Sequence, residues 1–169
     1  LLTHVGPKLS SQSAQDLANI AETFATLNIK NEALFNALAI QATEKIQSFS
    51  PDDLANTAWA FAQLGIRDDA LFNALAIQAQ QQIQHFSAVG LVNIAFAFAK
   101  LGIRNEALFN ALAIEAQQKI QHFSAQDLAN TAFAFGRLGI RNEALFNVLA
   151  IQATQTIHQF NPANLADTA

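Results

Sequence analysis

Apolar residues recur along this chain on two scales. Within a segment they return every three or four residues, and whole segments return every 37. Leu17, Leu54, Leu91, Leu128 and Leu165 keep the longer step, as do Phe49, Phe86, Phe123 and Phe160. Self-similarity at this period marks a stacked-repeat architecture. Counting each unit from Ser13, Ser50, Ser87, Ser124 and Asn161 gives a lead-in at 1–12 and repeats at 13–49, 50–86, 87–123 and 124–160. A partial fifth repeat occupies 161–169.

Each unit reads as two helices. The first starts at its Ser or Asn N-cap, and Asp16, Asp53 and Asp127 stand where a capping box places its acid. Pro51 and Pro162 fit a first helical position. Gly65, Gly102 and Gly139, with Asn28 in the first unit, suit a left-handed C-cap. The second helix starts at Asn31, Asp68, Asn105 or Asn142 and is expected to run through "ALFNALAI" towards the next Phe. Nothing alternates at period two, so no strand is expected.

In the second unit, Leu54, Ala58, Phe61 and Gly65 form the inner face of the first helix. They meet Phe72, Leu75, Ala79, Ile83 and Phe86 of the second. One such pair buries too little alone, so pairs must stack. The expected fold is all-α: a right-handed α-α superhelix of four helix-pair repeats with a partial fifth, forming one solenoid domain. Glu22 and Thr23 stand where later units carry Trp59, Phe96 or Phe133 and then Ala. That polarity fits a capping repeat.

The opposite side of the first helix comprises the third, fourth, seventh, tenth, eleventh and fourteenth positions. It varies while the core stays uniform, which marks it as the candidate reading surface. Its seventh position is always Asn: Asn19, Asn56, Asn93 and Asn130, with Asp167 in the partial unit. An amide offers donor and acceptor to a base edge; it can equally bond a neighbour along the stack. Asp16, Asp53 and Asp127 lie beside these as candidate helpers. Lys100 and Arg137 at the fourteenth position, and Lys30, Arg67, Arg104 and Arg141 in the turns, are candidate phosphate ligands. Each turn cation is followed closely by an acid (Glu32, Asp69, Glu106 or Glu143) that could pair with it. Trp59, Phe96 and Phe133 border the stripe and read chiefly as packing between units.

Composition trims the options. Charged residues are only 13% and the net charge is −4, so no global basic field draws a polyanion. With the turn cation of each unit added, the candidate surface sums to −1, −1, +2 and +1 over the four units, positive towards its C-terminal half. There is no Cys, which removes thiolate catalysis and Cys-ligated zinc. His85 and His122 repeat without a carboxylate beside them, so no metal or other cofactor is expected. No nucleophile–base pair and no phosphate-cradling glycine loop stands out, so neither an enzyme nor a small-molecule site is expected. No apolar run is long enough for a membrane span. The start without Met and the stop at "NLADTA" suit a piece of a longer protein.

"DLANTAWAFAQLGIRDDALFNALA", with its L-x-x-x-x-W-A-F-A-x-L-G spine, resembles the octotricopeptide repeats and their 37-residue heptatricopeptide relatives. The resemblance runs from about Ser13 onward and is best over Leu54 to Leu64. It implies a helix-pair solenoid that binds single-stranded RNA, about one nucleotide per repeat. Such proteins act in RNA stability, processing or translation, in mitochondria or plastids, or in the bacterial cytoplasm. The alternative on the same architecture is a scaffold that holds a partner protein's peptide in its groove.

Overall fold

The computed structural model describes residues 8–157. The partial fifth repeat, Phe160 and the fifth-unit residues Asn161, Pro162, Leu165 and Asp167 lie outside the described residues, as does most of the lead-in. Among the described residues the chain is helical with no strand, and its helix pairs stack as an α-solenoid. The first helices are α1 (Ala14–Thr26), α3 (Pro51–Gln63), α5 (Ala88–Lys100) and α7 (Ala125–Arg137). The second helices are α2 (Glu32–Glu44), α4 (Asp69–Gln81), α6 (Glu106–Lys119) and α8 (Glu143–Gln155).

Local chemistry sets the helix starts. Ser13, Ser50, Ser87 and Ser124 cap the first helices. With Asp16, Asp53 and Asp127 three of them close a complete capping box. The third repeat has Gly90 there, so Ser87 Oγ accepts from the Gly90 N–H at 3.0 Å with no carboxylate in return. Asn31, Asp68, Asn105 and Asn142 cap the second helices, each accepting from the N–H three residues on. Such caps stabilise a helix by about 1 kcal/mol each.

The ends are equally local. Gly65 adopts φ +65° and donates to the Ala62 carbonyl, while Ile66 N–H reaches Phe61. This is the paired hydrogen-bond pattern of a Schellman motif. Asn28 does the same at φ +53°. The second helices stop short of the expected phenylalanine. The first three give way to a 3₁₀ turn, Ile46–Ser48, Ile83–His85 and Ile120–His122. Phe49, Phe86 and Phe123 follow it in extended backbone and point into the core. The tighter turn reverses the chain in few residues and sets up the next serine cap.

Packing between repeats is aromatic in the middle and small at the inner layer. Phe35 meets Phe61, Phe72 meets Phe98 and Phe109 meets Phe135, all edge-to-face with centroids 4.8 to 5.0 Å apart. Each pair joins the second helix of one repeat to the first helix of the next, and all six rings are buried. Ala60, Ala97 and Ala134 are buried between successive first helices. They belong to the stack and not to the exposed stripe expected for the eleventh position; only Thr23, in the first repeat, is exposed there. Gly65, expected on the packing face, is exposed because it lies beyond the helix end. Alanine lets first helices approach closely, and their mutual contact is more extensive than that between second helices. Two layers of unequal spacing bend towards the closer one, so α1, α3, α5 and α7 line the inner curve.

Candidate nucleic-acid interface

Third, seventh, tenth and fourteenth positions of a first helix differ by four, three and four residues, so they share one face. On α5 this row is Val89, Asn93, Phe96 and Lys100; on α7 it is Gln126, Asn130, Phe133 and Arg137. All are exposed or half-buried. The face therefore runs from amide, through an aromatic ring, to a cation.

None of the four asparagines is buried: Asn19 is exposed, and Asn56, Asn93 and Asn130 are half-buried. Their partners differ. Asn56 Nδ2 donates to Glu22 Oε2 of the preceding repeat at 3.2 Å. Asn130 Oδ1 accepts from Gln126 Nε2 at 2.8 Å. The Asn19 and Asn93 amides have no hydrogen-bond partner among the described residues.

Asp16, Asp53 and Asp127 sit at the N-terminal edge of this face. In each, Oδ2 accepts from the capping serine's hydroxyl and backbone N–H, at 2.6 to 3.2 Å. These bonds hold the Asp16 carboxyl below the usual aspartate range, the serine hydroxyl contributing most. The acids therefore serve the helix starts first, and any contact to a ligand falls to the other oxygen.

The cations split into two groups. Lys100 Nζ donates to Gln63 Oε1 of the preceding repeat at 2.8 Å. Arg137 Nε donates to the Ala99 carbonyl at 2.9 Å, and its guanidinium lies 6.0 Å from the centre of the Phe133 ring. Both stay exposed and keep further donors free of these bonds. The turn cations lie at the edge of the solenoid. Lys30, Arg67 and Arg104 face Glu32, Asp69 and Glu106 at 3.7, 2.8 and 2.6 Å. Arg141 has no ion pair among the described residues. Exposed pairs of this kind contribute about 0–1 kcal/mol, so a phosphate can displace the acid.

Trp59, Phe96 and Phe133 are half-buried. Phe96 and Phe133 lean on each other across a repeat boundary, centroids 5.6 Å apart and planes at 37°. They pack between units, as read from the sequence, and still show part of each ring to solvent. Sequence reasoning missed Gln63 as the tether of Lys100, whose signal was its place at the fourteenth position; Val89, at the third position of the stripe, is an exposed apolar residue of this face.

Among the described residues no group of His, Asp and Glu could hold a metal ion, and no helix is long and apolar enough to cross a membrane. His85 and His122 are both exposed in their 3₁₀ turns. No curated protein sequence matches the chain. A family model does: that of RESC6, the RNA-editing substrate-binding complex 6 protein, matches residues 5–169. With nearly its whole length covered, the chain belongs to this RNA-editing substrate-binding complex 6 protein family.

Proposed function

We propose that the chain is a single-stranded RNA-binding module, and not an enzyme, whose first-helix layer takes about one nucleotide per repeat. The observation that carries this reading is the open amide–aromatic–cation row on α5 and α7. Asn19, Asn56, Asn93 and Asn130 meet base edges. The exposed parts of Phe96 and Phe133 offer faces for base stacking, worth about 1–3 kcal/mol per base. Lys100 and Arg137, with the turn cations, hold phosphates. The family is named for an RNA-editing substrate-binding complex, which supports RNA and protein partners for this chain. The heptatricopeptide-like spine supports a role in RNA processing in an organelle or a bacterium. The acidic total is compatible with binding because the third and fourth repeats carry a locally positive surface.

The test is fluorescence anisotropy with a randomised single-stranded RNA pool, titrated against salt. Binding should weaken steeply as salt rises, and Lys100→Gln and Arg137→Gln should each lower the slope of log K against log salt by about 1. Absence of binding to the pool at low salt would reject the reading in favour of a peptide-holding scaffold.

A further inference from the structure

The asparagines of the first-helix layer are one residue type held in different ways, and only Asn56 is held by an acid. Its Nδ2 donates to Glu22 Oε2 at 3.2 Å. An ionised carboxylate accepts and cannot donate, so it bonds the nitrogen end of the amide and repels the oxygen end. Among the described residues the only buried side-chain nitrogen or oxygen without a partner is Thr57 Oγ1. Asn56 is half-buried, and its Oδ1 has no hydrogen-bond partner among the described residues, so that oxygen is open to solvent. One hydrogen of Nδ2 also stays free of the Glu22 bond.

Glu22 stands at the tenth position of α1, 34 residues before Asn56. The same step back from Asn93 and Asn130 reaches Trp59 and Phe96, whose rings bring no carboxylate. Asn130 bonds a neutral amide, Gln126, instead. Only in the second repeat does a neighbour's charge decide which end of the amide leads. Turning that amide over would set its carbonyl against the Glu22 carboxylate.

The exposed edge of an unpaired base supplies the complement. Adenine and cytosine carry an exocyclic amino donor beside a ring-nitrogen acceptor. Guanine and uracil carry a carbonyl oxygen beside a ring N–H. Asn56, with its oxygen leading and one N–H beside it, matches the first arrangement and opposes the second. Glu22 acts in the same direction, since an acid accepts from an amino group and repels a carbonyl oxygen.

We propose that Glu22 is a positioning residue that fixes the sense of the Asn56 amide, so that the second repeat selects an amino-bearing base, adenine or cytosine, over guanine and uracil. This rests on the RNA-binding reading above and adds a base class to one repeat of that same site.

Competition binding to the 169-residue chain tests it, using single-nucleotide variants of an RNA selected from a randomised pool. One position should favour adenine and cytosine over guanine and uracil by about tenfold. Hypoxanthine in place of adenine there puts a carbonyl oxygen where the amino group stood and should lose the same factor. Glu22→Gln offers the Asn56 amide both a donor and an acceptor, so it should close the gap at that position alone and leave the melting temperature unchanged. Glu22→Ala, which removes the partner altogether, should close it too. Either variant removes a negative charge and tightens binding to every sequence, so the readout is the ratio between bases. Asn93→Ala should leave this ratio as it is. A gap that survives both Glu22 variants overturns the proposal. So does a preference that relaxes at every position alike, or a chain that binds RNA with no amino-over-carbonyl position. A chain that binds no RNA from the pool overturns the RNA-binding reading itself, and this inference with it.

Discussion

Lys119 reaches across a repeat boundary to Phe86: its ammonium donates to the Phe86 carbonyl at 2.6 Å. It also donates to the Gln84 carbonyl at 2.9 Å and pairs with Glu115 at 2.9 Å, one turn back on α6. Glu115 is buried. The cation thus satisfies carbonyls in and just after the preceding repeat's 3₁₀ turn and neutralises a buried acid. Lys45 makes the same clasp to Ser10 and Gln12, both at 2.6 Å. In the second repeat the neutral pair Gln78 and Gln82 occupies these two positions, and Gln82 reaches the Phe49 carbonyl at 2.9 Å.

That substitution between repeats predicts a double-mutant cycle. Lys119→Gln alone strands the Glu115 carboxylate and should cost about 2–3 kcal/mol, less than a fully buried pair because Lys119 is partly exposed. Adding Glu115→Gln rebuilds the second repeat's arrangement and should bring the loss to within about 1 kcal/mol. Urea unfolding measures both. A double variant no better than the single would mean the acid contributes nothing to the clasp.

The third repeat should accept its missing acid. Gly90→Asp removes a helical glycine and completes the box with Ser87, for an expected gain of about 1 kcal/mol. A Cβ there would lie 3.2 Å from Ser87 Oγ and 3.3 Å from Phe86 Cδ1, so both must give slightly. The fourth repeat accommodates the same Phe–Ser–Asp arrangement at Phe123, Ser124 and Asp127. A lowered melting temperature would show that Phe86 cannot move as Phe123 does.

The first repeat's box should respond to acid. Hydrogen bonds from Ser13 lower the Asp16 pKa in the folded state. A depressed carboxylate stabilises the fold above its unfolded pKa and loses that contribution as pH falls through the folded one. Asp16→Asn should therefore melt slightly below wild type at neutral pH, and the difference should close below the ordinary aspartate range. A difference that is constant with pH would assign the effect to geometry and not to charge.

The caps, the period and the left-handed turn residues were legible because each is decided within a few residues. Ser13 with Asp16, or Gly65 after Leu64, needs no partner elsewhere in the chain. What stayed hidden depends on neighbours 33 or more residues away. Ala60 looked like part of an exposed stripe until α1 and α5 closed over it. Ile77 lies within the near-constant "ALFNALAI", yet among the described residues no layer covers the outer side of the second helices and it stays exposed. The candidate site divides the same way. The shared face of Asn93, Phe96 and Lys100 follows from helical spacing. The bonds that tie Asn56 to Glu22 and Lys100 to Gln63 follow from how tightly the repeats stack.

Those unequal ties make the asparagine ladder testable rung by rung. Asn93 has no hydrogen-bond partner among the described residues, so Asn93→Ala should change stability by no more than about 0.5 kcal/mol. If its amide reads a base, the same change should relax RNA preference at one position, by about 1–3 kcal/mol of discrimination. Asn56→Ala also breaks the bond to Glu22 and should cost about 1 kcal/mol of stability. Thermal melts and selection from a randomised RNA pool, run on both variants, separate the two roles. An Asn93→Ala protein that keeps the wild-type selection profile would leave the amide as a solvated surface group and remove base reading from that repeat.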